Sequence, residues 1–189
     1  MLAALSAQTT EEGNGELDRL LLRTGQGDRE AFARLYSLTR GAVYALALSL
    51  LGDGHEAQDV AQDTFVRVWE RAPNYRSQGA PMAWLLTVAR NLARSRLRQS
   101  GRQITLDEEA WNAIPAAAPE VTPEDRAVLQ EALARLGAEE REIVLLHAVT
   151  GLKHREIAQL LELPLSTVLS KYHRGLKKLR AQMKGESDR

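Results

Sequence analysis

HEAQDVAQDTFVRVWERAPNYRSQGAPMAWLLTVARNLARSRLR, residues 55–98, is the stretch that decides the fold. Its apolar residues recur at steps of three and four in two segments, which indicates two amphipathic helices. A loop carrying Tyr75 and Gly79 separates them, and Pro81 marks the second start because proline suits the first helical turn. The predicted core faces are Ala57, Val60, Ala61, Thr64, Phe65, Val68 and Trp69 in the first helix and Met82, Leu85, Ala89, Leu92 and Ala93 in the second.

The outer side of the first helix carries an acidic strip. An apolar residue within it, Val66, suggests a surface that meets a partner, although single exposed valines are common. An ordinary solvated helix face is the alternative interpretation, and it stays open at this point. The acidic strip consists of Asp59, Gln62, Asp63, Val66 and Glu70.

The outer side of the second helix combines a large ring, an amide and two guanidinium groups. Unpaired nucleic acid needs such a set, because bases stack on aromatic rings, amides read base edges and arginines hold phosphates. In the alternative interpretation, Trp84 covers the hinge and the arginines only keep the helix soluble. This strip consists of Trp84, Thr87, Asn91, Arg94 and Arg98.

The composition is that of an ordinary soluble protein. The 189 residues are 44% hydrophobic and 26% charged, which suits one or two folded domains and not a disordered chain. The absence of cysteine excludes disulfides and thiolate metal sites and suits a reducing compartment, so we expect a cytoplasmic location. The first residues do not resemble a signal peptide, and no window approaches about 18 uninterrupted apolar residues, so we expect no membrane insertion.

The net charge of zero conceals an alternation along the chain. Residues 17–99 carry 12 bases and 8 acids, residues 126–189 carry the same numbers, and residues 100–125 carry one base and six acids. Two mildly basic blocks therefore flank an acidic connector. Neither block is basic enough to bind DNA tightly through charge alone, so a DNA-reading function would depend on a partner.

Helical periodicity predicts an all-α protein with two small domains joined by a flexible acidic linker. Asp28 and Asp53 are predicted N-caps within the first domain, and Thr122 and Pro123 are a strong helix start for the second. The predicted divisions are a disordered N-terminus (1–15), a four-helix domain (16–99), the linker (100–122), a helix-turn-helix domain (123–184) and a disordered tail (185–189).

Residues 153–184 have the pattern of a helix-turn-helix, in which the second helix reads DNA. A short helix that buries Ile157 and Leu161 is followed by a three-residue turn and a longer helix. Six bases and no acid lie between Lys171 and Lys184, where phosphates would be met. An interaction hairpin that does not touch DNA is the alternative interpretation.

Catalytic and metal-binding patterns are absent from the sequence. His147, His154 and His173 include no pair at i and i+4 on one helix, and no carboxylate completes a ligand set. Nucleophile elbows, phosphate loops and paired catalytic carboxylates are missing as well. The sequence therefore predicts neither an enzyme nor a bound metal or cofactor.

These motifs together resemble the extracytoplasmic-function (ECF) sigma factors, small two-domain transcription initiation factors of bacteria. Residues 59–69, DVAQDTFVRVW, resemble the family's helix that binds core RNA polymerase. Residues 84–98, WLLTVARNLARSRLR, are similar to its promoter-melting helix, and residues 155–180 resemble its reader of the upstream promoter element. The match runs from Asp28 to Arg180 in the family's order and spacing.

The resemblance implies a sigma factor that directs core RNA polymerase to promoters and captures melted bases, under the control of an anti-sigma factor. The loop from Tyr75 to Gly79 would capture a flipped base, and the acidic linker would run through the polymerase interior. Polymerase contacts would come from Asp59, Gln62, Asp63, Val66 and Trp69. Downstream-element and single-strand contacts would come from Tyr75, Arg76, Ser77, Trp84, Thr87, Asn91, Arg94 and Arg98. Upstream-element contacts would come from Arg155, Ser166, Thr167, Leu169, Ser170, Lys171, His173, Arg174 and Lys177.

Some positions depart from the family pattern. Leu169 stands where relatives usually place Lys or Arg, Lys171 replaces a frequent Arg, and Glu162 takes a turn position often held by glycine. Because lysine cannot reproduce the bidentate fork of arginine, the promoter sequence cannot be copied from relatives.

Two other functions remain open from the residues alone. A helix-turn-helix regulator acting on duplex DNA without polymerase would favour dimers and palindromic sites, and no long heptad seam is visible. A helical adaptor that does not bind DNA would tolerate loss of Arg94 and Arg174 together.

Overall fold

A computed structural model describes residues 2–100, 132–133 and 135–186 of the chain. This part of the chain contains helices and turns and no strand, which confirms the all-α class. The N-terminal helices are α1 (Leu2–Gly25), α2 (Arg29–Leu51), α3 (Gly54–Arg71) and α4 (Pro81–Ser100), with a 3-10 turn at Ala72–Asn74. The C-terminal helices are α5 (Ala138–Thr150), α6 (His154–Leu161) and α7 (Leu165–Glu186).

Side-chain caps fix the starts of α2 and α3, as predicted. The Asp28 carboxylate accepts a hydrogen bond from the backbone N–H of Ala31 at 3.0 Å, and Asp53 accepts one from Glu56 at 2.9 Å. Each bond satisfies an N–H group that has no partner inside the helix. Gly52 ends α2 with φ 70°, a left-handed conformation that costs glycine little.

Helix α1 begins at Leu2, earlier than the start near Leu17 that the periodicity indicates. Leucine and alanine dominate its first turns, and both have high helix propensity even without a periodic apolar face. Because residues 17–25 are already docked, adding turns at the N-terminal side needs no new nucleus. From Leu2 onward, helix therefore replaces the disordered N-terminus predicted for residues 1–15.

The four N-terminal helices bury the apolar faces predicted from periodicity. Gly25 places α1 in direct backbone contact with the 3-10 turn, since a Cβ there would lie 2.5 Å from the carbonyl oxygen of Ala72. Trp69 and Ala61 of the predicted α3 face are half-buried. The fully buried residues of the two predicted faces are Ala57, Val60, Thr64, Phe65 and Val68 in α3 and Leu85, Ala89 and Ala93 in α4.

Helices α6 and α7 form the predicted helix-turn-helix. Ile157, Leu161 and Val168 are buried between the two helices and their neighbours. Glu162 follows α6 with φ 57°, the left-handed region that favours glycine, which explains why glycine suits this turn position. The backbone N–H of Leu163 donates to the carbonyl of Ala158 at 3.0 Å and closes the turn.

The two helical domains pack against each other. Helix α5 contacts α2, and helix α6 contacts α4. Leu35 and Leu86 of the first domain share one hydrophobic cluster with Ile143 and Ile157 of the second. Ser100, the first residue of the predicted linker at 100–122, is the last residue of α4. The rest of that linker and the predicted helix start that follows it lie outside the described residues.

Candidate nucleic-acid interface

The acidic strip of α3 lies on the surface, as its periodicity predicts. Gln62 and Asp63 are exposed, and Val66 is 57% exposed, which is high for an apolar side chain. Asp59 is also exposed and lies 3.3 Å from the guanidinium group of Arg96 in α4. Glu70, at the end of the strip, lies 3.3 Å from the guanidinium group of Arg67. The surface is therefore acidic with one apolar residue, and both of these ion pairs are solvent-exposed and weak.

An aromatic groove borders the acidic strip, and periodicity gives no indication of it. A cavity of about 280 Å³ lies between α2 and α3. The rings of Tyr36 and Phe65 meet edge to face there with centroids 4.7 Å apart, and Tyr36 is 40% exposed. Gln62 lines the cavity, while Trp69 packs edge to face against a neighbouring ring of α2. The strip and the groove together form a surface with charged and apolar parts.

The outer strip of α4 is exposed along most of its length. Thr87, Asn91, Arg94 and Arg98 face solvent. Trp84, at the start of the strip, is half-buried and packs edge to face on Tyr75 with ring centroids 4.9 Å apart. The amide and both guanidinium groups are therefore available to a ligand, and the tryptophan offers part of its ring.

Tyr75 differs from the other predicted members of this site because it is buried, with an exposure of 3%. Its hydroxyl donates to the Asp18 carboxylate of α1, and burial together with this hydrogen bond raises the pKa of Tyr75. In this conformation Tyr75 is not available for direct contact with DNA. The following residues, Arg76 and Ser77, are exposed.

A cavity of about 400 Å³ opens beside this loop. Arg76 and Gln78 of the loop and Trp84 and Thr87 of α4 line one side. Helix α6 of the second domain lines the other side, with Glu156 among its residues. The packing of the two domains therefore places a carboxylate of the helix-turn-helix opposite the predicted single-strand site.

The predicted reading face of the helix-turn-helix is largely on the surface. Lys171 has 23% of its side chain exposed, whereas Arg174 has 61%. The exposed predicted residues are Arg155, Ser166, Ser170, His173, Arg174 and Lys177, and the half-buried ones are Thr167, Leu169 and Lys171.

Two carboxylates of α5 pair with bases of α7. Glu139 lies 2.6 Å from the Lys171 ammonium group, and Glu140 lies 2.6 Å from Lys178 and 3.8 Å from Arg174. Hydrogen bonds from Lys171 and Lys178 lower the pKa of Glu139 and Glu140 respectively, so both carboxylates stay ionised. Three of the six bases predicted to face phosphate, Lys171, Arg174 and Lys178, therefore already have partners within the protein.

A buried ion pair joins the two domains, and sequence reasoning missed it. The Arg90 guanidinium of α4 lies 2.9 Å from the Glu142 carboxylate of α5, and both side chains are about nine-tenths buried. Arg90 also donates to the backbone carbonyl of Leu160 at 3.4 Å. The sequence indicates this pair only weakly: Arg90 and Glu142 each lie in a helix close to a leucine or isoleucine that is buried.

Three histidines and a tyrosine form an aromatic cluster where α5, α6 and α7 meet. His147 and His154 stack with ring centroids 4.5 Å apart, and Tyr172 meets both rings edge to face. Burial lowers the pKa of His154, and the nearby His147 and His173 lower it further. Among the described residues no group of His, Cys, Asp or Glu has an arrangement that could hold a metal ion.

The stability of the protein should fall as the pH drops below the ordinary histidine pKa of about 6.5. Because the pKa of His154 is lowered in the folded state, there is a pH range below about 6.5 in which His154 is protonated in the unfolded chain and neutral in the folded chain. Within that range the free energy of unfolding falls by about 1.4 kcal/mol for each unit by which the pH is lowered. Thermal unfolding between about pH 7.5 and 5.5 measures the effect. The variant His154→Phe keeps a ring in the stack and should show a smaller pH dependence; an equal dependence would contradict this assignment.

The fold and surfaces define a class: two-domain helical transcription factors with a helix-turn-helix. Residues 35–103 match the family model Sigma-70 region 2, and residues 126–179 match Sigma-70, region 4. ECF RNA polymerase sigma factor SigK of Mycobacterium tuberculosis H37Rv is 32% identical over 88% of this chain and 93% of that protein. SigW of Bacillus subtilis strain 168 is 29% identical over 84% of this chain and 92% of that protein. The chain belongs to the ECF RNA polymerase sigma factors and directs RNA polymerase to promoters, so a polymerase-independent regulator is not favoured.

Two solved structures share the fold. CnrH in complex with the cytosolic domain of CnrY has a TM-score of 0.63 at 25% identity and covers 89% of this chain and 98% of that chain. The sigma factor RpoE in complex with the anti-sigma factor NepR from Bartonella quintana has a TM-score of 0.64 at 24% identity, with coverages of 82% and 98%. Within the described residues, no helix combines the length and apolar character needed to cross a bilayer.

Proposed function

We propose that three surfaces of this sigma factor divide the work of promoter opening. The acidic strip of α3 and its aromatic groove bind core RNA polymerase. The outer strip of α4 and the loop at 75–79 bind the melted strand of the downstream promoter element. Helix α7 enters the major groove of the upstream element.

The exposure of the α4 strip is the observation that best supports this division. Asn91, Arg94 and Arg98 face solvent on one side of a helix whose opposite side is buried. Guanidinium groups at this spacing can follow a phosphate backbone, and the amide can read the edge of an unstacked base. Trp84 provides a partly exposed ring at the end of the strip next to the loop.

The upstream contacts position the chain on the promoter, and the downstream contacts open the DNA duplex. Ser166 and Ser170 and the exposed bases Arg174 and Lys177 of α7 would meet base edges and phosphates of a duplex. Once polymerase and the upstream element are bound, tethering raises the effective concentration of the downstream surface. Binding energy for unpaired bases then opens the duplex, so the chain acts as a regulatory subunit without nucleotide hydrolysis and needs no cofactor of its own.

The relatives also suggest where and with what the protein works. One of the similar structures pairs a sigma factor with an anti-sigma factor. We expect an inhibitor protein of this kind to cover the polymerase-binding surface of this chain. Because polymerase and promoters are cytoplasmic in bacteria, we propose a cytoplasmic location for this chain.

Transcription in vitro with core RNA polymerase tests the division of surfaces. The template is a pool in which an upstream block and a downstream block are randomised, so that sequenced transcripts report the base preference in each block. The variant R94A/R98A should lower transcription at least about 10-fold. The slope of log activity against log salt concentration should become less steep by about 0.7 for each lost phosphate contact. The control R29A/R34A removes the same charge from exposed positions of α2 and should retain activity. Equal activity of both variants would contradict the role of the α4 strip.

A further inference from the structure

Asp18 of α1 accepts hydrogen bonds from the first and third residues of the predicted base-capturing loop at 75–79. One carboxylate oxygen accepts the hydroxyl hydrogen bond of Tyr75, and the other accepts that of Ser77 at 2.7 Å. These two bonds cross 57 and 59 residues of sequence. They connect α1 directly to the loop.

The start of the loop is also held by packing and by a backbone hydrogen bond. Tyr75 is buried and packs on Trp84, and its backbone N–H donates to the carbonyl of Ala72 at 3.0 Å. The 3-10 turn before it touches the backbone of Gly25 at the end of α1. By contrast Arg76, Ser77 and Gln78 are exposed. Without the bond from Ser77 to Asp18, the exposed residues would be fixed only at their two ends.

We propose that Asp18 is a positioning residue, which fixes the loop at 75–79 in the shape that selects a base of the downstream promoter element. This inference rests on the proposed single-strand role of the loop and of the α4 strip. Asp18 need not touch DNA, because its two oxygens act through Tyr75 and Ser77. A carboxylate suits this role because it accepts both bonds at once without supplying a donor.

Substitutions of Asp18 and its partners distinguish an effect on the position of the loop from a general effect on the stability of the fold. D18A removes both acceptors, whereas D18N still accepts from the tyrosine hydroxyl and can donate its amide to the serine oxygen. Y75F/S77A removes both donors and keeps the tyrosine ring against Trp84. If Asp18 acts through these two partners, D18A and Y75F/S77A should behave alike. Adding D18A to Y75F/S77A should then have no further effect.

The experiment is transcription from the template pool with both blocks randomised, using core RNA polymerase and the full chain. Two hydrogen bonds of ordinary strength correspond to a change of about 10- to 30-fold in the population of a held loop. We therefore expect D18A to weaken the strongest base preference of the downstream block by up to about 10-fold. The preference in the upstream block should not change. D18N should retain most of the downstream preference.

Other outcomes would overturn the inference. Unchanged downstream preference with D18A, or equal weakening in both blocks, would show that Asp18 does not position the loop. A further loss when D18A is added to Y75F/S77A would show that it acts elsewhere. The wild-type chain is the reference for the proposed function itself: if it gives no promoter-dependent RNA, the proposed function fails and the inference fails with it. Wild-type transcription with an unaltered D18A preference would overturn the inference alone.

Discussion

Replacing Asp59 and Asp63 of α3 by lysine is expected to lower the affinity of the chain for core RNA polymerase by about 100-fold or more. Both carboxylates are exposed on the acidic strip, beside the exposed Val66. Reversing two charges in a complementary interface both removes attraction and adds repulsion, and each close pair is commonly worth more than 1 kcal/mol. Titration of labelled chain with core polymerase, followed by fluorescence anisotropy, measures the loss.

Three further variants make this result specific. D63K changes one charge and should cause an intermediate loss, while E30K makes the same change at an exposed position of α2 and should bind as the wild type does. Because Asp59 is paired with Arg96, R96A tests whether loss of that pair alone matters, and it should have little effect. Polymerase affinity that stays within about threefold of wild type in D59K/D63K would contradict the assignment of the strip.

Replacing Glu142 of α5 by alanine is expected to separate the two domains. The change leaves the Arg90 guanidinium buried without its carboxylate, which commonly costs about 3–5 kcal/mol. Separation of the domains lets that charge return to water. The equilibrium constant for domain separation should therefore be more than about 100-fold larger in E142A than in the wild type. Energy transfer between dyes placed on α1 and α7, or small-angle scattering, measures the distance between domains.

Matched variants distinguish loss of this pair from general weakening. E139A removes an exposed acid from the same helix and should leave the domains together, because exposed pairs contribute less than about 1 kcal/mol. R90M/E142L replaces the pair by apolar side chains of similar size and should also keep the domains together. If E142A left the interdomain distance unchanged, the pair would not hold the domains.

Most of the fold could be predicted because the local signals agree with one another. Periodicity identified the buried faces of α3 and α4, and the caps at Asp28 and Asp53 lie where short polar side chains meet free N–H groups. The helix-turn-helix followed from apolar spacing on both sides of a three-residue turn. The exposed strips then followed as the complements of the buried faces.

The features that the sequence did not reveal all depend on contacts between distant segments. Arg90 and Glu142 lie 52 residues apart, and only the docking of α5 onto the first domain brings them together. Tyr75 was assigned to the DNA surface from family resemblance, yet its hydroxyl reaches back to Asp18 and its ring fills space beside Trp84. Periodicity within one helix carries no information about such partners.

We expect the carboxylates of Glu139 and Glu140 to set a threshold for DNA binding by the helix-turn-helix. A DNA phosphate would have to displace the carboxylate that already pairs with Lys171 or Lys178. Nonspecific electrostatic contacts with DNA would therefore contribute little binding free energy. A correct site also offers base contacts, which compensate for the exchange. Genomic DNA of the wrong sequence would therefore retain this protein only briefly, leaving more of it free to find the few sites where polymerase is needed.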